Sequence, residues 1–176
     1  MLLERSDIDP MTANKYGRTP LFWAAAYGQE AIVRTLLEQN GVNPNIADEY
    51  GQTPLGWAAG CGHEGVVRIL LERDDVNSNI VDEDGRVPLS LAAECGHEGA
   101  VKILLERNDV NPNIADKCGR TPLLWAAQNG HERITNLLWG RTDSIPRCVE
   151  ILPPTEPFST KPAGPSEPPF KRTRRS

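Results

Sequence analysis

The 176-residue chain lacks most of what a catalytic or membrane protein needs. It has no apolar run approaching the roughly 20 residues of a membrane span. The opening Met1-Leu2-Leu3-Glu4-Arg5 puts charges where a signal peptide carries its apolar stretch, so a cytoplasmic or nuclear chain is expected. Aromatic residues make up 6%, and there are only two methionines, three histidines and four cysteines. Cysteines in such a compartment are expected to be reduced. There is no Gly-Lys-Ser/Thr phosphate loop, no Gly-x-Ser-x-Gly elbow and no His-Glu-x-x-His pair. These absences argue against an enzyme.

Charge is unevenly spread. Residues 1–141 hold 13 Lys/Arg against 20 Asp/Glu, and residues 142–176 hold 6 against 4. An acidic body is a poor match for a phosphate backbone, which argues against direct nucleic-acid binding. The other end is basic and rich in proline, with eight of the chain's 15 prolines after Thr142.

What the sequence has in abundance is repetition. Gly17, Gly51, Gly85 and Gly119 are spaced by 34 residues, and so are Gly28, Gly62, Gly96 and Gly130. Between them run Arg18-Thr-Pro-Leu-Phe-Trp-Ala-Ala, Gln52-Thr-Pro-Leu-Gly-Trp-Ala-Ala, Arg86-Val-Pro-Leu-Ser-Leu-Ala-Ala and Arg120-Thr-Pro-Leu-Leu-Trp-Ala-Ala. A fixed period of this length marks a stacked array of one supersecondary unit. Thr19 is suited to an N-cap and Pro20 to the first helical position, where its missing N–H costs nothing. Leu21, Ala24 and Ala25 form an apolar stripe, and Gly28 stops the helix in a left-handed conformation. A second helix, about Glu30 to Glu38, repeats the stripe with Ile32, Val33, Leu36 and Leu37. Helices this short are not stable alone, so each must bury its stripe on its partner and on the next unit.

The Thr-Pro-Leu-x-x-Ala-Ala-x-x-Gly-His pattern resembles the ankyrin repeat, over roughly residues 2–141. The Leu-Leu-Glu-Arg and Val-Asn-x-Asn-Ile-Ala-Asp segments look like repeats of filamentous fungal arrays. The expected fold is therefore an all-α ankyrin-repeat solenoid of helix-turn-helix units. Residues 1–14 read as the end of a partial repeat. Residues 15–48, 49–82, 83–116 and 117–141 read as four repeats, the last a cap, and 142–176 as a disordered Pro-rich tail. Two departures stand out. The family's His after Pro-Leu is replaced by Phe22, Gly56, Ser90 or Leu124, which removes a bond between neighbouring repeats. The Gly after helix two is Asn40, Asp74 or Asn108, of which Asn tolerates the left-handed conformation and Asp74 less so. Leu2 and Leu3 align with Leu36 and Leu37, which suggests a fragment of a longer parent or an end face used for association.

Other motifs have competing readings. Gly60-Cys-Gly-His-Glu-Gly65 matches a dinucleotide fingerprint, yet it follows a helix rather than a strand, and its glycines already have repeat roles. Cys61, His63, Cys95 and His97 could suggest zinc. They lie on neighbouring units, with helices ~8–10 Å apart, whereas zinc holds sulfur at ~2.3 Å. No cofactor or metal is expected, and a Cys61–Cys95 disulfide is disfavoured by the same spacing. Trp23, Trp57 and Trp125 share one position of helix one, and either pack between repeats or serve as aromatic anchors.

The resemblance implies a protein partner, with no small-molecule substrate, held by the turn tips and the exposed side of helix one. Carried onto matching positions, the surface starts with Lys15, Tyr16, Arg18, Ala26 and Tyr27. It continues with Glu49, Tyr50, Gln52, Gly60 and Cys61. It then takes in Glu83, Asp84, Arg86, Glu94 and Cys95, and ends with Lys117, Cys118, Arg120, Gln128 and Asn129. The tips run basic, acidic, acidic, basic, which fits a partner with a cationic centre. Two alternatives stay open. Lys171, Arg172, Arg174 and Arg175 form a candidate nuclear import signal for a regulatory protein. The chain could equally be the sensor part of a larger receptor.

Overall fold

A computed structural model describes residues 12–141. These residues all belong to one compact unit. Eight α-helices follow one another in pairs: α1 Pro20–Ala26 with α2 Glu30–Leu37, and α3 Pro54–Gly60 with α4 Glu64–Leu71. Then come α5 Pro88–Cys95 with α6 Glu98–Glu106, and α7 Pro122–Gln128 with α8 Glu132–Trp139. No strand occurs among the described residues. The architecture is an all-α repeat solenoid, as the period requires.

Local chemistry sets each helix. The hydroxyls of Thr19, Thr53 and Thr121 accept from the N–H of Phe22, Gly56 and Leu124, and proline opens all four first helices. Val87 takes the cap position of α5 and cannot make this bond. Gly28 has φ 68° and, beyond the conformation, a second reason to be glycine. A Cβ there would stand 2.8 Å from His63 Nδ1, because the imidazole of the next repeat lies directly on it. Gly62 under His97 and Gly96 under His131 repeat the arrangement. Asn40, a residue that tolerates the left-handed conformation, does not take it here. That conformation falls one residue later, at Gly41 with φ 85°, and no other residue type has positive φ among those described. Gly41 adopts it without the steric cost that Asn40 would meet.

Alanine pairs let helices approach: Ala25, Ala58, Ala59, Ala92 and Ala93 have 0% exposure. Val33, Leu36, Val67, Leu70, Val101 and Leu104 complete one continuous core. Burial tracks the presence of a neighbour. Ile32 is 47% exposed, while Val66, Ala100 and Ile134 at the same place in later units are buried. At the other end Ala127 is exposed, although Ala25, Ala59 and Ala93 are fully covered. This is the nearest-neighbour logic of a solenoid, in which each unit finishes burying the one before it.

Side chains outside the tips also stitch neighbouring units. Asn45 Nδ2 donates to the Asp75 carbonyl at 2.7 Å, and Asn45 Oδ1 accepts from the Asn77 N–H at 2.8 Å. Asn79 does the same with the Asp109 carbonyl at 2.6 Å and the Asn111 N–H at 2.9 Å. Arg73 donates to the Leu37 carbonyl at 2.9 Å, and Arg107 to that of Leu71 at 3.0 Å, satisfying carbonyls at the C-terminal ends of α2 and α4. His63 Nε2 and His131 Nε2 lie 3.1 Å from the carbonyls of Ala26 and Glu94. These bonds tie neighbouring repeats together in place of the one that the family's His after Pro-Leu supplies.

Candidate protein-interaction surface

The turn tips are built on three carboxylates that recur every 34 residues: Asp48, Asp82 and Asp116. Each is buried at the base of its turn. Asp48 Oδ1 accepts from the N–H of Tyr50 and Gln52, both at 3.0 Å. Asp82 serves Asp84 and Arg86 likewise, and Asp116 serves Cys118 and Arg120. This is the Asx-turn geometry that fixes a short loop. Burial pushes the Asp116 carboxyl up, but the N–H groups of Arg120 and Cys118 and the Arg120 guanidinium outweigh it and hold the pKa below its ordinary value. Neighbouring tips are joined backbone to backbone. The N–H groups of Glu49, Glu83 and Lys117 donate to the carbonyls of Tyr16, Tyr50 and Asp84 at 2.8–2.9 Å.

The second oxygen of each carboxylate takes the tip cation. Arg18 Nε reaches Asp48 Oδ2 at 3.0 Å across to the next repeat. Arg120 Nε reaches Asp116 at 3.0 Å within its own. Arg86 is buried against Asp82 at 2.9 Å, Glu94 at 3.0 Å and Asp84 at 3.4 Å. Gln52 Nε2 also donates to Asp82, at 2.6 Å.

An aromatic cluster surrounds Arg18. Its guanidinium lies 5.2 Å from the ring centres of Phe22 and Trp23 and 5.7 Å from that of Trp57. Trp23 stacks on Tyr27 at 5.8 Å, and Phe22 meets Trp57 edge-on at 5.7 Å. Lys15 Nζ sits 4.8 Å over the Tyr16 ring. In the last repeat Arg120 lies 3.8 Å over Trp125. Such contacts hold the cations over ring faces, where the quadrupole attracts them.

The family model described as ankyrin repeats (3 copies) matches residues 1–80 and 75–145. The chain belongs to the ankyrin-repeat family. No curated protein matches it. Ankyrin repeats are in general protein–protein interaction modules and are typically not enzymes. No described helix is long and apolar enough to cross a membrane.

On this ankyrin array the residues expected at the surface divide into three groups. Lys15, Tyr16, Tyr27, Glu49, Tyr50, Glu83, Lys117 and Gln128 are exposed, as are Cys118 and Asn129. Arg18, Gln52, Asp84, Glu94 and Arg120 are half-buried, with Cys61 and Cys95 beside them. Arg86, Ala26 and Gly60 are buried. Lys171, Arg172, Arg174 and Arg175 lie outside the described residues, as do Leu2, Leu3 and the Pro-rich segment. Of the tryptophans, Trp57 is buried, whereas Trp23 and Trp125 are half-exposed, so one repeat position serves both packing and surface. Cys61, Cys95 and Cys118 are free thiols. Burial pushes the Cys95 thiol up to about 11, with the Glu94 charge adding to it, and burial also raises Cys61. Both are poor nucleophiles in consequence.

Two features had a signal in the sequence that went unread. An Asp stands three residues before Gly51, Gly85 and Gly119, with Asn14 in that place before Gly17, and the second Asn of the Val-Asn-x-Asn segment recurs with the same period. Both recur because they bind backbone, which periodicity alone does not reveal.

Proposed function

We propose that the array binds an extended segment of a partner protein, with a cationic centre, along its tip edge. The observation that carries this reading is the alternation of exposed groups on one bonded edge. Tyr16 at 40% and Tyr50 at 37% exposure are joined through their carbonyls to the N–H groups of the exposed Glu49 and Glu83. Tyr27, at 59%, stands on Trp23 behind them. Tyrosine rings already held by stacking lose little rotamer freedom on binding, which suits them as anchors.

The ion pairs refine which charges remain to attract a partner. Arg18, Arg86 and Arg120 are each matched by a carboxylate, so they shape the tips rather than present charge. Asp84 and Glu94 are engaged with Arg86. Glu49 and Glu83 are the acidic groups left in the middle, between Lys15 and Lys117 at the outer tips. This arrangement supports a partner with Arg or Lys facing repeats two and three.

The test is a displayed library of random peptides selected on the wild-type chain, followed by titration of the winners. Enrichment of Arg/Lys-centred peptides is expected, with the Glu49→Lys/Glu83→Lys variant binding them at least about tenfold more weakly and Tyr27→Ala having a separate effect. Peptides without a basic centre, or affinity unchanged in the double variant, would remove this surface from consideration. Asp84 is left alone, because changing it disturbs Arg86.

A further inference from the structure

The chain contains two Gln-Asn-Gly triplets, Gln39-Asn40-Gly41 and Gln128-Asn129-Gly130. The fold places both just after helices, in turns with a left-handed glycine, Gly41 at φ 85° and Gly130 at φ 72°. All four Asn and Gly residues are exposed. Their hydrogen bonding differs.

Asn129 is locked. Its side-chain Nδ2 donates to the Trp125 carbonyl at 2.9 Å, and its own N–H is bonded to the same carbonyl at 3.2 Å. The Gly130 N–H donates to the Ala127 carbonyl at 3.2 Å. At the other site neither the Asn40 amide nor the Gly41 N–H makes a hydrogen bond among the described residues. Nothing lies within 4 Å of where a Cβ would stand at Gly41 or at Gly130, so the hydrogen bonds alone separate the two sites. The turn is anchored only at its sides, by Leu36 and by the buried Val42.

We infer that Asn40 is a site of spontaneous deamidation and isoaspartate formation, and that Asn129 is protected from it by the fold. The step needs the Gly41 backbone nitrogen, having given up its proton to solvent base, to reach the Asn40 side-chain carbonyl carbon. An N–Cγ bond forms, the Cγ–Nδ2 bond breaks, and ammonia leaves with the proton it needs. Water then opens the five-membered imide. Attack at the side-chain carbonyl gives aspartate, and attack at the backbone carbonyl gives isoaspartate, whose main chain is one carbon longer. The nitrogen must be free of a hydrogen bond and unshielded by a Cβ; both hold at Gly41, and only the second holds at Gly130. At Gly130 the same nitrogen is held and its electrophile is turned away onto Trp125. The product is compatible with the fold at this turn, because repeat two carries Asp74 at the equivalent place.

The experiment incubates the full chain at mildly alkaline pH and follows both triplets by peptide mass spectrometry, with isoaspartate scored enzymatically. The same incubation in concentrated urea removes the fold while leaving the identical Gln-Asn-Gly contexts. In the native chain Asn40 is expected to convert at least about tenfold faster than Asn129, since two hydrogen bonds must open at the latter. In urea the two rates should converge. Equal native rates overturn the inference. So does a difference that persists undiminished in urea, because it would then come from sequence and not from structure. Asn40→Gln should abolish the modification at this site and leave the Asn129 rate unchanged.

Discussion

The tip edge and the Asn segment that leads into it hold neighbouring repeats by different chemistry. The tip edge uses buried carboxylates: Asp48, Asp82 and Asp116 gather two N–H groups and a cation apiece. Three residues earlier the chain uses neutral amides: Asn45 and Asn79 each donate to one backbone group of the next unit and accept from another. A carboxylate only accepts and here draws an arginine, and two of those arginines, Arg18 and Arg120, also lie over aromatic rings. A primary amide both donates and accepts, so one side chain holds two backbone groups of the next unit without a counter-ion. The tip edge therefore gathers charged and aromatic side chains, while the Asn segment binds backbone.

Replacing residues of each kind breaks the comparison to different degrees. Asp82→Ala has the largest expected effect. It strands the buried Arg86 and releases Gln52, and should lower the unfolding free energy by about 3 kcal/mol in urea titration. A loss under 1 kcal/mol would mean that Glu94 and Asp84 alone hold Arg86. Asn79→Ala comes next, at roughly 1–3 kcal/mol, because the Asp109 carbonyl and Asn111 N–H lose their partner. It should leave affinity for tip-binding peptides unchanged, whereas Asp82→Ala should not. Equal effects of the two on binding would collapse the distinction between the two kinds of tie.

The smallest effect concerns acid. His97 has its pKa lowered from 6.5, chiefly by burial, with the charges of His63 and His131 adding and the Gly60 carbonyl and Glu64 opposing. It also opens α6, where a cation meets the positive end of the helix. Its folded pKa lies below its unfolded one, so the unfolded chain takes the proton first. Stability is complete above 6.5 and falls as pH drops through the depressed folded value. Thermal melts between about pH 7 and 5 should show this slope in the wild type and a shallower one in His97→Gln. An identical slope in both would assign the acid loss to other groups.

Much of the fold was legible in the sequence, because a short helix has few ways to be written. Thr19-Pro20 opens it, Leu21 and Ala25 bury it, and Gly28 closes it, and the period supplies the neighbour. The surface was legible only as positions. Arg86 reads the same as Arg18 and Arg120 in sequence, yet it is buried by Glu94, a residue its counterparts Ala26, Gly60 and Gln128 cannot imitate. Asn40 shows the same limit. Its propensity for the left-handed region is real, but the glycine beside it meets the same need at lower cost.

The stitching has a polarity. Arg73 and Arg107, His63 and His131, and the N–H groups of Asn77 and Asn111 all reach back to the unit before. Units two and three carry both hooks to the unit before and eyes for the unit after, whereas unit one has Gln29 and Gln39 where later units have His63 and Arg73. A gene that gains or loses a central 34-residue unit by unequal recombination would leave these hooks facing eyes of their own kind. Copy number is then free to drift while the bonding stays intact, and the tips, which carry no such constraint on their exposed side chains, are where new units can diverge.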